Sequence, residues 1–287
     1  MPDPALSLPD LLGESLVDDA LFAAAYAESS DRERALMKTC IARLYDWYGP
    51  RKDTAREVAT RWRGGFGSVS RSAPVDFALV LFDENFVSPA RLLAALVPAA
   101  ACGVPCVLAV RMNAVGDWAR PLLTAMELAG QELVADLTGE DLSSLLDDLA
   151  QAKASGAVAD LTGRPGLCAG RSGLAVHTPA FDRTAALYLD DPNTFDLEAL
   201  AFIHPDTAFT VFGADIPLPG GFVRGGKDFP AFLDAVRDVA FVPADRIGDA
   251  LDRARLVFGP GQEGCWVWPE LHPGFFLHHR TAWTIGD

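Results

Sequence analysis

Basic residues are scarce in this chain: 24 lysines and arginines stand against 39 aspartates and glutamates, a formal charge of −15 at pH 7. A surface of that sign repels phosphate backbones and anionic headgroups, so no nucleic-acid or membrane partner is expected without a local basic patch. The densest basic stretch, Arg51 to Arg63, also carries Asp53 and Glu57 and reads as a solvated helix face. Paired cysteines are lacking too. Cys40, Cys102, Cys106, Cys168 and Cys265 are odd in number and scattered, which implies no disulfide framework. No second Cys or His pair follows Cys102 and Cys106 at zinc spacing, so no metal is expected there. The first residues have neither a basic region nor the apolar run of a secretory leader, and a cytoplasmic location is the default. The longest apolar run, nineteen uncharged residues between Arg91 and Arg111, is broken by Pro98 and by Gly103-Val104-Pro105. It reads as a buried helix followed by a buried strand rather than a membrane span.

The 287 residues, half of them hydrophobic, suffice for one large or two modest α/β cores. Helices are expected over Asp18–Ala27, Asp31–Tyr48 and Asp53–Trp62, a helical layer within residues 1–63 that must dock on something larger. Strands at Val75–Phe82, Pro105–Arg111 and Glu132–Leu137 alternate with helices at Ser88–Ala101, Asp117–Ala129 and Glu140–Ala154. This predicts a doubly wound, Rossmann-like parallel sheet in residues 64–162. After the Gly/Pro-rich loop "LTGRPGLCAGRSG", residues 163–287 read as a second α/β unit. Strands are expected at Leu174–His177, Ala185–Leu189, Ala208–Phe212, Val239–Val242, Trp266–Trp268 and Phe275–Thr284. Helices are expected at Leu197–Ile203, Phe229–Val236 and Asp245–Leu256. Several connections are short, so this sheet is expected to be mixed.

"SPARLLAALVPAAACGVPCVLAVR" and "LLTAMELAGQELVADLTGEDLSSLLDDL" resemble the helix-strand-helix-strand core of histidinol dehydrogenase, in the wider aldehyde dehydrogenase-like superfamily. The matching residues are Ser88, Val97, Pro98, Ala99, Gly103, Val104, Leu128, Ala129 and Gly130. "ADRIGDALDRARLVFGPGQEGC" is similar to the helix that leads into the Asn-x-Gly-Gln-x-Cys motif of aldehyde dehydrogenases, and "RGGK" at 224–227 to their Glu-Leu-Gly-Gly-Lys element. The resemblance implies a nicotinamide cofactor or a small carbonyl compound in an interdomain cleft, with Cys265 as nucleophile. The motifs also depart from the pattern. Glu263 and Gly264 separate Gln262 from Cys265 where the family has one residue, the family's Asn and its base Glu are both missing beside Pro260 and Arg224, and no adjacent Glu-His pair occurs. The alternative is a non-catalytic binding or assembly module of the same architecture.

A catalytic Cys265 needs a lowered pKa or a neighbouring base, for which Glu270 and His272 are the candidates, with Glu263 and His278 behind them. The other reading makes Cys265 the small apolar start of a strand between Trp-rich turns. Arg164, Gly166, Gly170 and Arg171, in the loop at 161–173, are the candidates for an anion or cofactor phosphate, although their spacing matches no nucleotide fingerprint. "RGGFGSVSR" at 63–71 fails as a nucleotide loop because its glycines precede a strand. His177, His204, His272, His278 and His279 show no His-x-x-x-His spacing, and His278 and His279 point to opposite faces of a strand. Trp266, Trp268, Phe275, Phe276 and Trp283 crowd the C-terminal stretch. A hairpin there would expose aromatics on one face, which suggests a homodimer through residues 265–285.

Overall fold

The computed structural model describes residues 8–49, 55–164, 166–168, 170–179 and 183–285. Helices α1 (Leu8–Leu12), α2 (Asp19–Glu28) and α3 (Asp31–Tyr48) come first. The Asp18 carboxylate accepts the Ala20 N–H at the start of α2. Ser30 and Glu33 form a reciprocal capping box at the start of α3. Met37, Cys40, Leu44 and Tyr48, at helical spacing, form the buried stripe of α3. Next come β1 (Arg56–Arg61), β2 (Phe66–Pro74), β3 (Phe77–Asp83), α4 (Pro89–Ala101), β4 (Val107–Met112), α5 (Arg120–Ala129), β5 (Leu133–Leu137), α6 (Gly139–Gln151), β6 (Gly156–Asp160) and β7 (Leu174–His177).

Five of these strands form a sheet of order β5-β4-β3-β6-β7, every pair parallel. The expected neighbours Val75–Phe82, Pro105–Arg111 and Glu132–Leu137 lie side by side in it as β3, β4 and β5. Their apolar runs are explained by burial on both faces. Ala78, Val80 and Phe82 turn to the side of α4 and α5. Phe77, Leu79 and Leu81 turn to α6 and α1. Gly130 closes α5 in the left-handed region at φ +67°, where a side chain is strained. β6 was not anticipated, being five small or short residues directly after a helix.

The second half contains β8 (Thr184–Leu189), α7 (Leu197–Ile203), β9 (Ala208–Gly213), β10 (Phe222–Arg224), α8 (Phe229–Ala235), β11 (Val239–Phe241), α9 (Ile247–Leu251), β12 (Leu256–Phe258) and β13 (Leu277–Ile285). Its sheet has the order β10-β9-β8-β11-β12, again with parallel pairs throughout. The two sheets therefore share one topology: the first strand is central, the next two extend to one side, and the last two to the other. Leu187, Phe209, Val211 and Phe241 join the same apolar cluster as α3, α4 and α5, so one core spans both sheets. The opposite face is covered by α8 and α9.

The mixed strand directions expected of residues 163–287 are present but divided between sheets. The antiparallel strand, β13, leaves the second sheet and pairs with β2, which pairs in turn with β1. Two assignments are corrected by this third sheet. Asp53–Trp62 is not a helix: 56–61 is the strand β1, built on Val58 and Thr60 and turned back at Gly65, with φ +84°, and residues 50–54 lie outside those described. Trp266–Trp268 is irregular chain, so no hairpin forms within residues 265–285. Leu174–His177 is a strand as expected, yet it pairs with β6 of the first sheet. The helix expected over Asp245–Leu256 ends at Leu251, and Leu256 already belongs to β12.

Candidate functional site

The segment after β12 folds by two tight turns, the Gln262 N–H reaching the Gly259 carbonyl (3.2 Å) and the Cys265 N–H reaching that of Gln262 (3.0 Å). Gly264 passes so close to α3 that a Cβ would stand 3.1 Å from the Leu36 carbonyl oxygen. A buried network pins the segment down. His204 Nε2 donates to the Glu263 carbonyl (3.1 Å), and the Asp196 N–H donates to Glu263 Oε1 (3.3 Å). The Trp268 indole N–H donates to the Arg91 carbonyl (3.1 Å). The Arg91 guanidinium lies over the Trp266 ring at 4.4 Å. It pairs with Asp206 (2.7 Å) and donates to the Thr207 hydroxyl (2.8 Å). Burial lowers Arg91 to about 10. Burial, with the Arg91 charge nearby, lowers His204 to about 3. Sequence reasoning passed over Arg91. Its signal was there, because one arginine opening a helix of otherwise uncharged residues must be answered inside the fold.

Cys265 is buried against α3, and burial pushes its thiol up to about 11, only partly opposed by the Arg43 charge. It lies in the wall of a groove of about 930 Å³ between the second half of α3 and the edge strand β12. Arg43, Trp47 and Tyr48 line one side, Leu256 to Gly259 the other, and His272 sits in the same groove. Glu270 is at its border, held by Arg255. Of the three sequence-selected residues, Cys265 and His272 thus share the groove, and Glu270 is outside its lining. Among the described residues, however, no hydrogen bond joins the Cys265 thiol to Glu270, His272 or Glu263.

The loop with Arg164, Gly166, Gly170 and Arg171 follows β6. Arg164 approaches Asp83 (3.7 Å). Arg171 donates to the Ser143 hydroxyl (2.8 Å) and pairs with Asp147 (2.5 Å). Gly166 and Gly170 take positive φ, +107° and +77°. His177 ends β7, His204 follows α7, His272 precedes β13, and His278 and His279 are consecutive on β13; no group of three or more metal-ligating side chains converges among the described residues.

A nicotinamide dinucleotide held in the Rossmann manner needs a glycine-rich turn after the first strand and a free helix N-terminus for its pyrophosphate. Neither sheet offers that pair. At the end of β3 the chain reads Asp83-Glu84-Asn85-Phe86, and α4 is capped by Ser88, which is fully buried and whose hydroxyl donates to the Ile203 carbonyl (2.9 Å). After β8 it reads Asp190-Asp191-Pro192-Asn193, and α7 is capped by Asp196, itself paired with Arg32. Carboxylates and a sealed helix end do not fit a pyrophosphate.

No family model and no curated protein matches the chain. Solved structures do. Histidinol dehydrogenase from Elizabethkingia anophelis aligns with a TM-score of 0.56 at 12% identity over 96% of this chain and 77% of that one. Succinate-semialdehyde dehydrogenase from Burkholderia pseudomallei aligns at 0.49 and 11% over 92% and 84%. A putative aldehyde dehydrogenase from Burkholderia cenocepacia aligns at 0.46 and 12% over 93% and 88%. The chain therefore has the fold of that histidinol dehydrogenase, and at 12% identity the likeness is one of fold alone. No helix among the described residues is long and apolar enough to cross a membrane.

Proposed function

We propose that this chain is a non-catalytic binding module with a histidinol dehydrogenase-like fold, which takes a small molecule in the groove between α3 and β12. The observation that carries the reading is the state of Cys265. Its thiol is pushed up to about 11 by burial, with no base hydrogen-bonded to it, and a nucleophile at neutral pH needs the reverse. The groove has the size and the mainly apolar wall of small-molecule sites. The rival reading, a reduced dehydrogenase with Cys265, Glu270 and His272 in catalytic roles, has in its favour the groove that Cys265 and His272 share. Against it stand the missing base contact and the acidic strand ends, which disfavour a nicotinamide cofactor. The loop with Arg164 and Arg171 is the weaker anion site, because Arg171 would first have to leave Asp147 and Ser143. A cytoplasmic protein acting as a homodimer completes the proposal. Titration with NADH, followed by energy transfer from tryptophan to the nicotinamide, tests it: no transfer is expected in the micromolar range. Transfer that NAD competes away, or NAD-dependent aldehyde oxidation lost in Cys265→Ser, would overturn the non-catalytic reading.

A further inference from the structure

If the groove beside Cys265 is a binding site, as proposed for it, its lining also specifies the chemistry of the ligand. The apolar wall includes four aromatic side chains, Trp47, Tyr48, Phe258 and Trp266. Trp47 stands at the rim, 74% exposed. Asp46, Arg255, Gln262 and His272 also line the groove, and two groups are placed to meet an anion. Among the described residues, Arg43 approaches a carboxylate only at the 3.9 Å separation of Asp46, between two side chains that are both more than half exposed. Its charge is nonetheless felt at the Cys265 thiol, inside the groove. The second group is backbone. β12 is the edge of its sheet. The Leu256 N–H donates to the Asp238 carbonyl (3.0 Å) and the Phe258 carbonyl accepts from the Val242 N–H (3.0 Å), both toward β11. In an extended strand, successive residues turn these groups to opposite sides, so Val257 presents its N–H and carbonyl to the groove. A guanidinium and an outward N–H beside aromatic faces, in a chain of net charge −15, form a local site for one negative charge carried on a flat apolar body.

We propose that the groove binds an aromatic monocarboxylate, its ring between Trp47 and the Phe258 side and its carboxylate on Arg43 and the Val257 N–H. The probes are 2-naphthoate and its neutral counterpart 2-naphthalenemethanol, titrated against the full chain by calorimetry and by quenching of tryptophan emission. The carboxylate is expected to bind about tenfold more tightly than the alcohol, with a preference that shrinks as salt is raised because Arg43 is partly exposed. Arg43→Gln, checked for unchanged circular dichroism, should abolish the preference while keeping the alcohol's affinity. Trp47→Ala, at an exposed position, should weaken both probes. Equal affinity of the two probes, or a preference that survives Arg43→Gln, would overturn the ligand class and leave the groove reading standing. Binding of neither probe up to millimolar concentration would overturn both.

Discussion

At the scale of single residues, the decisive contrast is between two groups that burial drives in opposite directions. Cys265 is raised to about 11 and His204 lowered to about 3, because each loses its charged form on leaving water. For Cys265 the consequence is slow chemistry. Iodoacetamide should modify it at least tenfold more slowly in the native chain than in denaturant, at a rate still climbing above pH 9; fast native labelling with a plateau near neutrality would contradict the packed reading. For His204 the consequence is acid sensitivity. Its folded pKa lies below the unfolded value near 6.5, so the unfolded chain binds the extra proton between those values. The stability that depends on the neutral ring is complete above about 6.5 and is lost as pH falls toward about 3. Lowering the pH from 6.5 to 5 should cost about 2 kcal/mol through this group alone. Urea unfolding at the two pH values measures it, and His204→Gln should remove most of the difference. An unchanged pH slope in that variant would assign the sensitivity to another group.

At the scale of elements, legibility followed the periodicity of apolar residues. α3 was readable to both ends because Ser30 marks its start, Gly49 its stop, and Cys40 and Leu44 repeat at helical spacing, although Trp47, read into the same stripe, is exposed. β3, β4 and β5 were readable because strands buried on both sides carry unbroken apolar runs. β1 and β2 were not: with solvent near both faces they have no burial pattern, and Arg56, Glu57, Arg61 and Arg63 imitate a helix surface. The candidate site was legible in part. Cys265 and His272 were selected by type and do share a groove, but the other wall comes from α3, more than two hundred residues earlier in the chain, and no local spacing encodes that. The Arg91–Asp206 pair joining α4 to the turn after α7 was hidden for the same reason. Because both side chains are buried, Arg91→Met should destabilise the chain by about 3–5 kcal/mol, leaving Asp206 charged and unanswered. Arg91→Met combined with Asp206→Leu should recover most of that loss in urea unfolding. Equal loss in the single and double variants would show that the arginine acts through Trp266 instead.

At the scale of the whole molecule, the third sheet stands apart from the common core. β1, β2 and β13 pair with one another, and neither face is covered by the clusters that bury the parallel sheets. Trp62, Phe66, Trp283 and Ile285 share one face of it by the register of the strands, with Phe66 against Trp62 at 5.8 Å and against Trp283 at 5.2 Å. Ile285 is 92% exposed. Three strands without a buried face are marginal in water, so a cover is expected. The homodimer proposed above would supply it with complementary charge: residues 56–74 and 277–285 hold five arginines and one glutamate in a chain of net −15, so a second copy would offer this sheet an acidic surface. The aromatic interface expected over residues 265–285 thereby narrows to β13, since Trp266, Trp268 and Phe276 are buried in their own chain. Light scattering at micromolar concentration should give about twice the chain mass of 30.7 kDa, falling toward the monomer as salt is raised. Trp283→Arg adds charge where the ring is exposed and should give the monomer with unchanged circular dichroism. A mass of one chain at every concentration, or a dimer indifferent to Trp283→Arg and to salt, would place the contact elsewhere and leave this sheet without its partner.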